Sequence, residues 1–237
     1  MTQDKVLKED LKEKLMKLID YFETGGRWGL VAGNFDGQFL SWGPLQWNIG
    51  QGTLINVLRK IPQNLIVKYL GQDFYNNLSS NDALRKFVVS NVLNSDGFVK
   101  RDWAKRFYDL AFEKEVIKVF IDSAEFYFSN ARRLILALGF ETERGFALCF
   151  DIAVQNGAPR RDHINEYRRR EQAQKPQHEW ERLKILANVV ADLANPRWKN
   201  VVLMRKIFIA VGRGRVYGRD LELEKDFGIS YNRKWYI

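Results

Sequence analysis

Two carboxylic acids thirteen residues apart, Glu23 and Asp36, have the types and spacing to do acid–base chemistry. Hydrolysis of a glycosidic bond needs one carboxyl that keeps its proton for the leaving oxygen, and one that is ionised to activate water or attack the sugar. Glu23 stands just before Thr24-Gly25-Gly26, at the end of a helical pattern. The negative end of a helix dipole, with packing against Phe22 or Trp28, favours the neutral acid there. Asp36 lies between Gly33 and Gly37, where exposed backbone and water favour the charged form. Glu23 is therefore expected to be the acid and Asp36 the base. Among 29 acidic residues a pair alone carries little weight, so the elements around it matter.

Leu7, Leu11, Leu15, Leu18 and Phe22 recur at helical spacing, which predicts an amphipathic helix over about 5–22. From Trp28 to Asn48 the composition turns to Gly, aromatic and polar residues, and Asn34-Phe35-Asp36-Gly37 supplies turn chemistry, so a small hairpin or irregular sheet is expected. Helical periods return at Leu54–Leu70, Ser80–Val92, Trp103–Phe120 and Phe126–Leu138. The apolar run Phe146–Val154 predicts a central core helix, 159–180 is a polar stretch, and Glu181–Ala194 and Arg197–Val211 read as two more helices before a Gly-rich tail.

The stretch FETGGRWGLVAGNFDGQFLSWGPLQWNIGQGTL resembles the active-site segment of the lysozyme-like superfamily, and within it the inverting chitosanases. The resemblance implies an acid at Glu23, a base on Asp36-Gly37-Gln38, a water-holding hydroxyl at Ser41, and a Gly50-Gln51-Gly52 lead into the next helix. The interval between the two acids is shorter here than in those enzymes. ALGFETERGFALCFDIAVQNG is similar to a chitosanase core helix ending in an acid, which implies that Asp151 pairs with Arg205 of MRKIFIAVG to support the site. The tail GRVYGRDLELEKDFGI is similar in style to their C-terminal segment. The implied fold is mainly α (α+β), one lysozyme-like catalytic domain over 1–237. Its two lobes are one of helix 1, the β-region at about 28–48 and the C-terminal tail, and a helical lobe at about 54–195, with the β-region lining a cleft. Trp28, Trp42 and Trp47 are candidates to stack on sugar faces. Asn34, Gln38, Gln46, Asn48, Gln155 and Asn156 are candidates to bind the substrate by hydrogen bonds, with bonding inside the fold as the alternative.

The chain has 237 residues, with 38 Lys and Arg against 29 Asp and Glu, a net +9. At 46% hydrophobic residues it can bury a sizeable core. The single Cys149 with His163 and His178 cannot make a Cys/His zinc site, and the histidines read as surface residues. No metal or organic cofactor is implied. Met1–Phe22 lacks the apolar core of a signal peptide, and no apolar run is long enough to span a bilayer. A cytoplasmic origin is expected, with action in the periplasm or cell wall after phage-, secretion-system- or bacteriocin-type delivery. The charge disfavours polycationic chitosan and favours peptidoglycan with its anionic polymers. The expected activity is thus an inverting muramidase, with endo-chitosanase or lytic transglycosylase as alternatives, acting as a monomer; an immunity or inhibitor protein is a candidate partner. Arg160, Arg161, Arg168, Arg169 and Arg170 could hold an anionic wall polymer or nucleic acid, but interleaved Glu166, Glu171, Glu179 and Glu181 read as a salt-bridged solvent face.

Overall fold

Leu11, Leu15, Leu18 and Phe22 are buried on one side of helix α1 (Glu9–Thr24), whose first turn carries Glu9 and Asp10 where the helix dipole favours negative charge. The computed structural model describes residues 5–157 and 160–237. Pro159, where the predicted polar stretch begins, lies outside the described residues, as do the first four residues of the N-terminal segment. The described residues form two compact units: one takes the chain up to Leu15 together with Glu125–Ile237, the other Met16–Ala124. Helix α1 passes from the first to the second.

In the second unit, strands β1 (Val31–Ala32), β2 (Ser41–Trp42) and β3 (Trp47–Asn48) form an antiparallel sheet in that order. Ser41 pairs with both Ala32 and Asn48, and Trp42 with Val31 and Trp47. Helices α2 (Thr53–Leu58), α3 (Gln63–Leu70), α4 (Gln72–Asn76), α5 (Asn81–Phe87), α6 (Arg101–Ala111) and α7 (Lys114–Ser123) follow. The period over Leu54–Leu70 is two helices, because Pro62 lacks an amide proton and disfavours helical backbone at Ile61 before it. Trp42 meets Phe107 and Phe120 edge-on at 5.3 and 5.0 Å, and Trp47 stacks on Phe120 at 5.3 Å. These contacts group the β-region with α6 and α7, which corrects the expectation that it joins the C-terminal tail in one lobe.

The first unit holds α8 (Glu125–Leu138), α9 (Glu143–Asn156), α10 (Arg161–Gln174), α11 (Glu179–Asp192) and α12 (Lys199–Val211). Helix α9 is its core, buried from Glu143 to Ala153, with Phe150 stacked on Phe128 at 4.4 Å and Phe146 against Trp235 in a tilted contact at 5.1 Å. The polar stretch after 159 is helical as α10, with Tyr167 and His163 as its buried residues. The Gly-rich tail is a hairpin, β4 (Arg213–Val216) and β5 (Arg219–Glu222), followed by α13 (Leu223–Phe227). Tyr217 and Gly218 both have positive φ, 49° and 83°, as the tight two-residue turn requires. The fold is mainly α with small antiparallel sheets. Among the described residues no helix is long and apolar enough to cross a membrane.

Candidate active site

The end of α1 sets the first acid. Gly25, at φ +75°, donates its N–H to the Tyr21 carbonyl at 3.0 Å and closes the helix in a left-handed cap. Glu23, in the last turn before that cap, is exposed. Thr24 beside it is 2% exposed; its hydroxyl lies 2.5 Å from Asp20 Oδ1 and accepts the Arg27 N–H at 2.8 Å, while Arg27 Nε donates to the Thr24 carbonyl at 2.8 Å.

The second acid lies on the turn between β1 and β2. Asp36 is exposed, and its Oδ1 accepts the Gln38 N–H at 3.1 Å. The Asn34 side chain accepts the Phe39 N–H at 2.8 Å and holds Phe39 at φ 66°. The Asn34 N–H donates to Gly97 O at 2.8 Å, which joins this turn to residues 94–98. A side chain at Gly33 would put its Cβ 2.1 Å from that same carbonyl oxygen, so the approach needs glycine. Ser41, at the start of the central strand, is 6% exposed. Glu23, Asp36 and Ser41 all belong to the second unit, and no cofactor is needed for a pair of carboxyls to act on a glycosidic bond.

The first unit contains the other predicted pair. Asp151 is fully buried; its Oδ1 accepts Arg205 Nη2 at 2.6 Å and Nε at 3.1 Å. Its other oxygen accepts Lys206 Nζ at 2.9 Å, and the same ammonium donates to Gln155 Oε1 at 2.6 Å. Burial pushes the Asp151 carboxyl up, but the two cations override it and hold it below the usual carboxylate range.

No family model matches the sequence, and no curated protein matches it. Solved structures do. The native chitosanase from Bacillus subtilis MY002 is 17% identical with a TM-score of 0.58, over 92% of this chain and 98% of that one. The chain has the chitosanase fold. A mutant of that chitosanase, complexed with 6 GlcN, matches equally, and a GH46 chitosanase from Gynuella sunshinyii in complex with chitotetraose is 14% identical with a TM-score of 0.55, over 92% and 99%.

On this chitosanase-like framework several predicted substrate contacts are core instead. Trp42 is fully buried, and Trp47 and Trp28 are 6% and 9% exposed around Phe120, because three indoles and a phenyl ring make a larger apolar gain by packing together than by facing water. Asn48 is 9% exposed; its side chain accepts the Gln51 N–H at 2.8 Å and its carbonyl the Thr53 hydroxyl at 3.2 Å. Gln46 donates to the carbonyls of Gly43 and Leu30 at 2.9 and 3.3 Å. Asn34 and Gln155 are likewise engaged inside their units, as above. Gln38 and Asn156 are half-buried, each with a buried carboxamide oxygen that has no hydrogen-bond partner among the described residues.

The arginine run behaves as a salt-bridged face. Glu166 takes Arg169 and Arg170 at 2.7 Å each, Arg170 also reaches Asp192 at 2.8 Å, Arg160 meets Asp162 at 3.3 Å, and Arg168 reaches the Ala137 carbonyl at 3.4 Å. Arg161 is exposed. A pocket of about 540 Å³ beside this face, lined by Arg170, Lys175, Trp180 and Lys184 among others, holds none of the predicted catalytic residues. His163 is 5% exposed rather than on the surface, and its burial lowers its pKa; His178 caps α11.

Four residues were missed in the sequence. Asp20 is 3% exposed, and burial raises its carboxyl to about 6. Its signal was positional: Met16, Asp20 and Thr24 lie four residues apart, a second buried line beside the leucines. Phe35 and Phe98 are 78% and 63% exposed on the two turns joined by the Asn34–Gly97 bond. Their signal was an aromatic inside each turn. Lys206 was hidden because a lysine in a helix reads as solvent-facing.

Proposed function

We propose that the chain is an inverting hydrolase of a β-1,4-linked amino-sugar polymer, with Glu23 as acid, Asp36 as base and Ser41 helping to direct the water. The observation that carries this is the placing of the two exposed acids, one at the capped end of α1 and one on the first turn of the sheet, within one unit of a chitosanase-like fold. Glu23 would protonate the leaving oxygen while Asp36 removes a proton from water on the opposite face of the sugar. Phe35 and Phe98 offer exposed rings for the apolar faces of sugars.

Two polymers remain in play, and charge divides them. Residues 16–124 carry 13 Lys and Arg against 11 Asp and Glu, a net +2, and the remainder 25 against 18, a net +7. Over 20–41, Asp20, Glu23 and Asp36 face one basic residue, Arg27. The excess charge therefore belongs to the other unit, the unit that carries the acids is close to neutral, and the objection to chitosan drawn from the total loses its force. Similar structures bound to glucosamine oligomers support glucosamine polymers as the substrate class. The total of +9 supports peptidoglycan as the second reading.

The test compares reducing-end release from chitosan oligomers and from purified sacculi by the wild type and Glu23→Gln. Loss of cleavage in Glu23→Gln is expected, as is an inverted anomer in the first product of the wild type; ordinary activity in that variant would sink the acid assignment. Anhydro products that survive Asp36→Asn would mark a transglycosylase instead.

A further inference from the structure

Asp20 is a buried carboxyl that the reaction above does not use. The Thr24 hydroxyl lies 2.5 Å from Asp20 Oδ1 and 3.0 Å from the Asp20 carbonyl oxygen, and it accepts the Arg27 N–H at 2.8 Å. A hydroxyl has one proton to give and two lone pairs. With Asp20 neutral, all three contacts are satisfied: the hydroxyl donates to the carbonyl, and accepts from the Arg27 N–H and from the carboxyl proton. With Asp20 ionised, the hydroxyl must turn its proton to the carboxylate, and its bond to the carbonyl is given up. The Arg27 bond persists in both. Glu23 sits between Asp20 and Thr24 on that last turn, so the segment that aims it has two hydrogen-bonding arrangements.

We propose that Asp20 is a positioning residue for Glu23: acting through Thr24, its carboxyl sets the hydrogen bonding of the turn from which Glu23 projects, and its ionisation selects between two arrangements of that turn. The proposal rests on Glu23 being the acid. Burial raises Asp20, the Thr24 bond and then Arg27 act to lower it, and Glu23 acts to raise it, leaving it at about 6. Glu23 on its own helix and Arg27 on the following turn are the charged groups acting on it. The selection then falls within the working range of a hydrolase.

The full chain, labelled with ¹³C at its carboxyl carbons, is titrated by NMR, with Glu23→Gln to assign the Glu23 signal. The Asp20 signal is expected to titrate near pH 6, and the Glu23 signal to inflect at the same pH. In Asp20→Asn, which mimics the neutral acid, that inflection disappears; Thr24→Val moves the Asp20 midpoint upward and Thr24→Ser restores it. On a cleaved glycan, Asp20→Asn loses the corresponding inflection in kcat while KM stays within about twofold. A Glu23 signal blind to the titration of Asp20 overturns the inference whether or not any glycan is cut. If the coupling is present but Glu23→Gln cleaves both glycans normally, the link between Asp20 and the turn is supported and only the acid assignment falls.

Discussion

Asn34 donates its backbone N–H to the carbonyl of Gly97 at 2.8 Å, and this one bond ties the turn that carries Asp36 to a second turn built in the same way. In the first, the Asn34 carboxamide accepts the Phe39 N–H; in the second, the Asn94 carboxamide accepts those of Asp96 and Phe98 at 3.0 and 2.9 Å. Side-chain oxygens that mimic a backbone acceptor hold both turns without any strand between them. The Asp36 carboxylate is thereby mounted on a braced corner, which suits the base role proposed for it.

Gly33→Ala tests that brace. Its Cβ would stand 2.1 Å from Gly97 O and 3.1 Å from the Phe98 Cα, both backbone atoms that cannot swing aside. The turns must part, at a cost of about 1–3 kcal/mol, read by urea unfolding, and glycan cleavage should fall with it. Wild-type stability in this variant would mean the two turns are not joined.

Trp42 and Phe35 should separate packing from binding. Trp42→Ala removes a fully buried indole and should cost about 3–5 kcal/mol in unfolding free energy. Phe35→Ala, at an exposed ring, should leave stability within about 0.5 kcal/mol and raise KM about three- to tenfold, the worth of one aromatic stack. A Trp42→Phe variant with unchanged stability and a raised KM would return the indole to the sugar.

The contrast shows what was legible. Helices α1, α8, α9 and α12 followed from apolar period, since a buried stripe has to repeat at the helical pitch. The placing of Glu23 at a helix end and of Asp36 on a glycine-flanked turn was legible because both are local features. Whether Trp42 faces a sugar or Phe120 depends on a residue 78 positions away, and no local pattern holds that. The hairpin at Arg213–Glu222 hid behind exposed arginines without alternation, its one signal being Tyr217-Gly218. Asp20 hid because a polar residue near a helix end reads as solvated until its neighbours four residues away prove to be buried.

The buried cluster around Asp151 gives a third expectation. Asp151→Ala removes the carboxylate that both Arg205 and Lys206 contact and should cost about 3–5 kcal/mol. Lys206→Met keeps the Arg205 pair and should cost clearly less. Because the Asp151 carboxyl is held below its ordinary value, its stabilisation is present above about pH 4 and is lost as the pH falls. The gap in urea midpoint between the wild type and Asp151→Ala should therefore stay constant from pH 7 to about pH 4 and narrow below it. Equal costs for the two substitutions would deny Asp151 its place at the centre of the cluster.

Asp20 should produce the opposite slope. Its carboxyl is raised from 3.8 to about 6 in the folded chain, so the folded state holds a proton that the unfolded chain has already released. The stability this group contributes is fully present below its unfolded value and is lost as the pH rises from about 4 to about 6. Over that window the loss amounts to about 3 kcal/mol. Asp20→Asn keeps the donor to the Thr24 hydroxyl and has no proton to lose. It should therefore unfold at higher urea than the wild type at pH 7 and near the same urea at pH 4. A stabilisation that is the same at both pH values would show that Asp20 does not titrate in this window, and that burial leaves its charge without cost.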